Sequence, residues 1–496
     1  MIQLYPFQNK GVGDIREAFR TYKRVLFVAP TGSGKTVTFS DICAKAIMKG
    51  SRVLVLSDRI EIFKQNLKAI TNHEIKACLI DADNRQINGD SDLFFGMVET
   101  FKRRMALFIE MFNTPGSELD LIIVDEAHKQ VYYKVFDAFP NVKVLGVTAT
   151  PIGKKLHLYY DILIQSIDIP ELIEQGFLSP CTGYEMVKDD FSDLKTDSSG
   201  EFTEKSNFEH FNKSKLYSGV VDAYLQKAND LKTIVFCVNI EHAEQTAKAF
   251  NTVGITARAI SSNTPEADRK RWLDEHQRGV YNVLINANIF VAGYDDPSIE
   301  CVIFNRATGS LSVWLQGAGR GSRIFPGKER FLLLDLGGNF RRHGLWSQPR
   351  KWSLEPPKKN KKGIGAMPVK ECLQCAAMIP AIATKCTECG FEIPEGDKPL
   401  AEGKLVEVVD RSVPKEIVGK NISELNVQEL ISLEPSKMVK PVFIWRVLRA
   451  KGEDAIIEYA AKKGYKNGWI ARQLSDMDSE AQAAGKVEFK DFVIKG

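Results

Sequence analysis

A glycine-rich block between an apolar run and a helix-like stretch has the composition of a phosphate-binding loop. Residues 31–36 read TGSGKT and follow the apolar residues 25–28. Glycines let backbone amides turn toward phosphate oxygens at the N-terminus of a helix. In that geometry Lys35 reaches the β- and γ-phosphates of a nucleoside triphosphate, and the Thr36 hydroxyl is a ligand for Mg²⁺. The residues expected to bind the nucleotide here are Thr31, Gly32, Ser33, Gly34, Lys35 and Thr36.

Two adjacent acids close a second apolar run about 90 residues later. Asp125 and Glu126 follow residues 121–124. Because successive side chains of a strand point to opposite faces, the two carboxylates can take different roles. Asp125 would hold the hydration shell of Mg²⁺ opposite Thr36, and Glu126 would orient and deprotonate the water that attacks the γ-phosphate. Together the two blocks predict ATP hydrolysis.

Short apolar runs alternate with helix-like stretches along most of the chain. One set lies between residues 25 and 150, and a second lies between residues 233 and 335. This alternation is typical of parallel sheets with helices on both faces. The sequence therefore predicts an α/β fold of two lobes with a cleft between them.

The distribution of charged and apolar residues indicates where the protein acts and predicts no membrane-spanning segment. The 496 residues carry a net charge of +4, but residues 341–370 hold nine Lys/Arg and one acid, Glu355. The N-terminus has no apolar run typical of a signal peptide, and no apolar run of 18 or more residues could span a bilayer. We therefore expect a cytoplasmic protein without a membrane partner.

Four cysteines form two Cys-x-x-Cys pairs separated by ten residues. Cys372 and Cys375 make the first pair, and Cys386 and Cys389 make the second. Two such turns can present four thiolates tetrahedrally to Zn²⁺. With four protein ligands the metal would be structural and would stabilise a segment too small to form its own core. Redox cycling of the two pairs is the alternative interpretation.

These blocks stand in the order found in superfamily 2 helicases, which residues 1 to about 345 resemble. The resemblance is greatest to bacterial and phage helicases of the RadD type and to the motor subunits of type III restriction enzymes. It implies two tandem RecA-like lobes. The segments that carry it are residues 5–8, 31–36, 53–59, 96–100, 125–128 and 147–151 in the first lobe, and residues 286–297 and 316–323 in the second.

The resemblance implies further nucleotide-site residues. Gln8 would contact adenine, and Gln316 would complete the site from the second lobe. Gly293 and Asp295 would lie on its ribose or magnesium side. The residues before that glycine, Val291 and Ala292, depart from the family, in which a hydroxyl-bearing side chain usually stands there. The departure puts a contact between this segment and the nucleic-acid backbone in doubt.

The resemblance also implies residues for catalysis and coupling. Arg320 and Arg323 would be arginine fingers, which meet the transition-state charge only when the cleft closes. Arg59 and Thr100 would contact the nucleic-acid backbone. The residues implied to couple hydrolysis to movement are His128, Thr148 and Thr150.

The predicted organisation is two RecA-like parallel-sheet lobes, a small zinc ribbon and a mostly helical C-terminal segment. The bounds are 1–165 and 166–345 for the lobes, 346–368 for a basic linker, 369–395 for the ribbon and 396–496 for the C-terminal segment.

The expected function is that of an ATP-dependent DNA helicase or translocase, which moves along or remodels DNA in repair, recombination or replication. The expected cofactors are ATP, Mg²⁺ and structural Zn²⁺. The expected partners are single-stranded or branched DNA and other repair or replication proteins, in a bacterial cell or a phage-infected host. An RNA helicase, or a DNA-binding module switched by ATP with little turnover, are the alternatives.

Overall fold

The computed structural model describes residues 3–58, 77–82, 84, 87–187, 194–197, 200–211, 214–287, 296–356, 369–371, 378–380, 404–408, 415–434, 439, 441–465, 470–471, 473–475 and 477. The chain divides into two compact units, Met1–Val406 and Glu407–Gly496. The first unit contains both predicted lobes.

The first lobe is built on a seven-stranded parallel sheet. Its strands are β1 (Arg24–Val28), β2 (Val53–Ser57), β3 (Ala77–Ile80), β4 (Leu93–Met97), β5 (Leu121–Asp125), β6 (Lys143–Thr148) and β7 (Ile162–Gln165). Their order is β3-β4-β2-β5-β6-β1-β7. Strand β6 pairs with β1 on one side and with β5 on the other. Because parallel strands end at one edge, the loops after β1, β5 and β6 converge there.

Helices cover both faces of this sheet. They span Pro6–Thr21, Lys35–Ile47, Val98–Arg103, Met105–Phe112, Tyr133–Ala138 and Leu156–Tyr159, with a 3-10 turn at Gln130–Tyr132. The helix Ile169–Glu174 follows β7 and leads into the second lobe. Successive residues of β1 alternate between two cores, since Val25 and Phe27 lie in one and Leu26 and Val28 in the other. Because successive side chains of a strand point to opposite faces, a strand buried on both faces is apolar at every position, as β1 is at residues 25–28.

The second lobe repeats the architecture. Its strands are β8 (Cys181–Val187), β9 (Thr233–Cys237), β10 (Ala257–Ile260), β11 (Val283–Ala287), β12 (Cys301–Phe304) and β13 (Phe331–Asp335). They follow the order β10-β11-β9-β12-β13-β8 in parallel pairs. The helices span Glu204–Phe211, Ser214–Lys227, Ile240–Thr252, Glu266–Gln277, Leu311–Ala318 and Asn339–His343. The two parallel-sheet α/β lobes predicted from the sequence are confirmed.

Three short strands follow the second lobe. Strands β14 (Val369–Glu371) and β15 (Met378–Pro380) form an antiparallel pair. Strand β16 (Lys404–Val408) is the last in the order of the second large sheet, next to β8.

The second unit has a helical core of its own. Its helices span Val427–Leu433, Pro441–Lys451 and Glu453–Lys463, with 3-10 turns at Lys415–Ile417 and Ile422–Glu424. Leu430, Ile444 and Tyr459 are among its fully buried residues. Asn426 caps the first helix by accepting a hydrogen bond of 2.9 Å from the backbone N of Glu429. Across all the helices that the structure describes, none is both long and apolar enough to cross a membrane.

Candidate active site

The loop after β1 enters the helix Lys35–Ile47 through two glycines in the left-handed region. The φ angle is +87° at Gly32 and +78° at Gly34, and side-chain-bearing residues rarely adopt such values. A Cβ on Gly34 would lie 2.5 Å from Nε2 of Gln8, so a larger residue would also lack space. The loop has the form that aims backbone amides at a phosphate from the start of a helix.

Gln8 holds this loop from the first helix. Its buried side chain donates from Nε2 to the carbonyl O of Ser33 at 3.0 Å and accepts from the backbone N of Tyr5 at 3.0 Å. Within the loop, the Ser33 hydroxyl and the Lys35 ammonium both donate to the carbonyl O of Pro30, at 2.7 and 3.3 Å. Gln8 therefore reaches the phosphate loop directly, and its contact with adenine stays a prediction.

The Lys35 ammonium lies among charged groups from both lobes. Burial lowers the pKa of Lys35, while the carboxylates of Glu126 and Asp125 raise it. The guanidinium groups of Arg320 and Arg323 lower it further. Three cations and two carboxylates thus lie close enough to affect one another. The positive excess suits an anionic polyphosphate.

The two acids predicted to act at this site follow one another at the end of β5. Asp125 is buried, and its Oδ1 accepts a hydrogen bond of 2.8 Å from the backbone N of Glu126. Glu126 has a φ of +50°, which is rare for a residue with a side chain. Such backbone strain is of order 1–3 kcal/mol and is concentrated at functional sites. The sequence offered no signal for this turn, since glutamate is not a residue that favours it.

The residues predicted to couple hydrolysis to movement form a hydrogen-bonded chain. Nδ1 of His128 lies 2.9 Å from the Thr148 hydroxyl and 3.4 Å from Oε2 of Glu126. The backbone N of Thr150 donates to the same Thr148 hydroxyl at 3.1 Å. Burial, reinforced by the positive charge of Lys129, lowers the pKa of His128 to about 4. The imidazole is therefore neutral near pH 7, and its Nδ1 can either donate or accept.

The second lobe closes over this site with the helix Leu311–Ala318 and the loop that follows it. Nε2 of Gln316 donates to Oε2 of Glu126 at 3.4 Å. A Cβ on Gly319 would lie 3.0 Å from Thr31, so the two lobes are in contact at the phosphate loop. Arg320 is buried, and burial lowers the pKa of both Arg320 and Arg323 to about 10. Both guanidinium groups remain charged at neutral pH.

The structure therefore brings most of the predicted nucleotide site together. Thr36 is the second residue of the helix Lys35–Ile47, in the same loop-to-helix turn as Lys35. Thr100 lies half-buried in the helix Val98–Arg103, which follows β4 at the same edge of the sheet. The predicted site residues that lie outside the described residues are Arg59, Gly293, Asp295, Cys372, Cys375, Cys386 and Cys389.

The resemblance to helicases implies ATP and Mg²⁺ as ligands, and the side chains at the phosphate loop have the chemistry to bind both. A phosphate-bound Mg²⁺ needs few protein ligands because phosphate and water oxygens supply the others. The Thr36 hydroxyl and the Asp125 carboxylate are oxygen donors of that kind. Within the described ranges, no cluster of three or more His, Cys, Asp or Glu is placed to hold a metal ion by protein side chains alone.

Three contacts at this site were not predicted from the sequence. The hydroxyls of Thr150 and Ser312 lie 2.7 Å apart across the lobes. Nζ of Lys129 lies 2.5 Å from Oδ2 of Asp58, which directly follows β2. The backbone N of Ser179 donates to the carbonyl O of Ser322 at 2.6 Å. Each pair is distant in sequence, so no local pattern could have indicated it.

Comparison with known proteins matches both lobes. The family described as "Type III restriction enzyme, res subunit" matches residues 1–153, and "Helicase conserved C-terminal domain" matches residues 216–325. A 51.5 kDa protein of a Lactococcus phage is 28% identical over 397 residues, which are 78% of this chain and 82% of that protein. The Schizosaccharomyces pombe protein described as mitochondrial ATP-dependent helicase irc3 is 28% identical over 378 residues, which are 72% of this chain and 61% of irc3.

A solved structure shares the fold. It is described as a fragment of an HsdR subunit of a type I restriction enzyme from Vibrio vulnificus, with a TM-score of 0.55 and 22% identity over 68% of this chain and 65% of that chain. The chain thus spans less than two thirds of irc3 and of the HsdR fragment. The restriction-enzyme family matches the first lobe and the helicase C-terminal family matches the second, and the two lobes meet at the phosphate loop. The chain therefore belongs to the superfamily 2 helicases and is an ATPase of that superfamily.

Proposed function

We propose that the chain is an ATP-dependent DNA helicase or translocase that moves along or remodels DNA during repair, recombination or replication. The observation that carries this proposal is the contact of Gln316 with Glu126 across the lobes. A hydrolytic carboxylate that touches the second lobe ties hydrolysis to the closure of the cleft. Alternating closure and opening can then ratchet a strand that both lobes hold.

Each residue at the phosphate loop has a proposed role in hydrolysis. Lys35 binds the β- and γ-phosphates, and Thr36 and Asp125 would hold Mg²⁺, which neutralises phosphate charge when bound. Glu126 orients the attacking water and accepts its proton. Arg320 and Arg323 stabilise the charge that develops on the γ-phosphoryl oxygens. Neutral His128 contacts both Glu126 and the Thr148 hydroxyl. Thr150, which donates to the same hydroxyl from its backbone N, contacts Ser312 of the second lobe through its side chain.

The remaining predicted residues have proposed binding roles. Gln8 contacts adenine, and Gly293 and Asp295 contact the ribose or magnesium side of the nucleotide. Arg59 and Thr100 contact the nucleic-acid backbone. We propose residues 1–165 and 166–345 as the bounds of the two motor lobes, and the cytoplasm as the place of action.

DNA is the proposed substrate because the first lobe matches a restriction-enzyme family, and because a solved structure of similar fold is described as a restriction-modification enzyme bound to DNA. A second candidate is RNA, because a relative described as ATP-dependent RNA helicase eIF4A, from Eremothecium gossypii, is 23% identical over 317 residues. Helicase motifs that bind the nucleic-acid backbone do not by themselves distinguish the deoxyribose of DNA from the ribose of RNA. A direct comparison of the two polymers is therefore required.

The test is ATP turnover with single-stranded DNA, forked DNA and single-stranded RNA of matched length. We expect DNA to raise kcat by at least about tenfold over the protein alone, and RNA to raise it less, because a coupled site turns over when both lobes are engaged. Strand displacement is measured on the same forked substrate. Stronger stimulation by RNA would replace this proposal with the RNA helicase. Turnover without displacement would identify a translocase.

We further propose a structural zinc ribbon made by the four clustered cysteines. Its support is their spacing, since Cys372, Cys375, Cys386 and Cys389 lie outside the described residues. Four thiolates would close the coordination shell of Zn²⁺ and leave no position for catalysis. The two pairs would then have no redox role.

Metal analysis of the purified chain tests the ribbon. We expect about one Zn²⁺ per chain in the wild type, and a loss of most of it in Cys375→Ser and Cys386→Ser, because three thiolates hold zinc less tightly than four. Thr387→Ala, within the second pair, is the matched control and should keep its zinc. A wild-type chain purified without chelators but free of zinc would contradict the proposal.

A further inference from the structure

One face of the helix Leu311–Ala318 meets the nucleotide site at successive turns. Ser312 and Gln316 are four residues apart, so they lie on the same side of the helix. The Ser312 hydroxyl lies 2.7 Å from the Thr150 hydroxyl, and Gln316 donates to Glu126 at 3.4 Å. Gly319, one turn further along, packs against the phosphate loop at Thr31. This face is therefore the surface through which the second lobe contacts the ATPase site.

The Ser312 contact closes a circuit of polar contacts around the catalytic carboxylate. In the first lobe the circuit runs from Glu126 to His128 at 3.4 Å and on to the Thr148 hydroxyl at 2.9 Å. The backbone N of Thr150 then donates to that hydroxyl at 3.1 Å. From Thr150 the circuit crosses to Ser312 and returns to Glu126 through the helix and Gln316. Glu126 is thus contacted from both lobes, by His128 of its own lobe and by Gln316 of the second lobe.

We propose that Ser312 is a positioning residue of the ATPase site. It pairs with Thr150 when the lobes close, and through Thr148 and His128 it fixes the orientation of Glu126. This inference rests on the proposed function. Thr150 is fully buried and Ser312 is partly buried, so the hydroxyl pair is partly shielded from water, which strengthens its hydrogen bond. The arrangement favours hydrolysis only when the second lobe is docked.

Ser312 is not needed to build the helix that carries it. The helix is capped by Ser310, whose hydroxyl accepts from the backbone N of Val313 at 3.3 Å. Trp314 and Leu315 are buried and anchor the helix in the second lobe. Alanine is also a better helix former than serine. Ser312→Ala therefore removes the hydroxyl and leaves the packing of the helix in place.

The test is steady-state ATP hydrolysis, with and without DNA, by Ser312→Ala, Ser312→Thr, Thr150→Val and the double variant Thr150→Val/Ser312→Ala. We expect Ser312→Ala to lower DNA-stimulated kcat about five- to tenfold, the effect of one lost hydrogen bond, with the KM for ATP changed less than about twofold. Ser312→Thr keeps the hydroxyl and should restore kcat to within about twofold. The double variant should be no slower than Thr150→Val alone, because the pair is lost only once.

Ser262→Ala is the matched control, since Ser262 is exposed elsewhere in the second lobe, and it should behave as wild type. An unchanged kcat in Ser312→Ala, beside normal DNA stimulation of the wild type, would overturn this inference alone. So would additive losses in the double variant, or a Ser312→Thr chain as slow as Ser312→Ala. A wild-type chain that DNA and RNA both fail to stimulate would instead overturn the proposed function.

Discussion

Arg320→Ala and Arg323→Ala should each lower DNA-stimulated kcat by about 10³-fold or more, the range measured for arginine fingers in phosphoryl transfer. Both guanidinium groups come from the second lobe and influence the charge state of Lys35 in the first. Burial gives each charge a large effect, because little water is present to screen it. Removing either should therefore raise the barrier to hydrolysis while the phosphate loop still binds ATP. Steady-state kinetics combined with a fluorescent-nucleotide binding assay separate the two effects.

The control for the arginines is Arg330→Ala. Arg330 is exposed in the same lobe, and its guanidinium donates a long hydrogen bond of 3.5 Å to the Thr182 hydroxyl, away from the phosphate loop. It should hydrolyse ATP as the wild type does. Arg320→Lys and Arg323→Lys should recover only part of the lost kcat. An ammonium group keeps the positive charge but lacks the planar set of N–H donors of a guanidinium. Wild-type turnover in both alanine variants would show that the second lobe does not complete the site.

Glu126→Gln should lower kcat by about 10²- to 10⁴-fold, the usual contribution of a general base. Glutamine keeps the size of the side chain and an oxygen that can accept from Gln316, but it cannot take the proton of the attacking water. ATP binding should therefore remain. A rapid-quench measurement of single-turnover hydrolysis, beside equilibrium binding of ATP, tests both parts.

Glu110→Gln serves as the matched control, because Glu110 is exposed in the helix Met105–Phe112 of the same lobe. It should hydrolyse ATP normally. If Glu126→Gln instead lost ATP hydrolysis but still remodelled DNA as the wild type does, hydrolysis by this carboxylate would not drive the motor. The chain would then fit the alternative of a DNA-binding module that uses ATP only as a switch.

The local chemistry of the site was predictable because it lies in short continuous blocks. An apolar run followed by TGSGKT, or by Asp125 and Glu126, predicts both a strand and the loop after it. The convergence of these loops then follows from the parallel sheet, in which β6 lies between β1 and β5. The two-lobe architecture was predictable for a related reason, since short apolar runs alternate regularly with helix-like stretches over most of the chain.

The contacts between the lobes were not predictable from local pattern. The pairing of Thr150 with Ser312 joins residues 162 positions apart, and Gln316 meets Glu126 across 190 positions. Such pairs depend on how two complete lobes dock. The positive φ of Glu126 is likewise set by its surroundings, because nothing in the residue type favours it. The sequence predicted that strand alternation would send Asp125 and Glu126 in different directions. Strand β5 ends at Asp125, so the direction of Glu126 is set by a turn and not by the strand.

The central claim is that ATP bound at the phosphate loop is hydrolysed when the second lobe and a polynucleotide are engaged. Release of inorganic phosphate by the purified chain, with saturating single-stranded DNA and Mg²⁺, tests it most directly against Lys35→Ala under the same conditions. We expect the wild type to release phosphate at a rate that DNA raises, and Lys35→Ala to remain at background. Equal background release from both proteins, with and without DNA, would contradict the account.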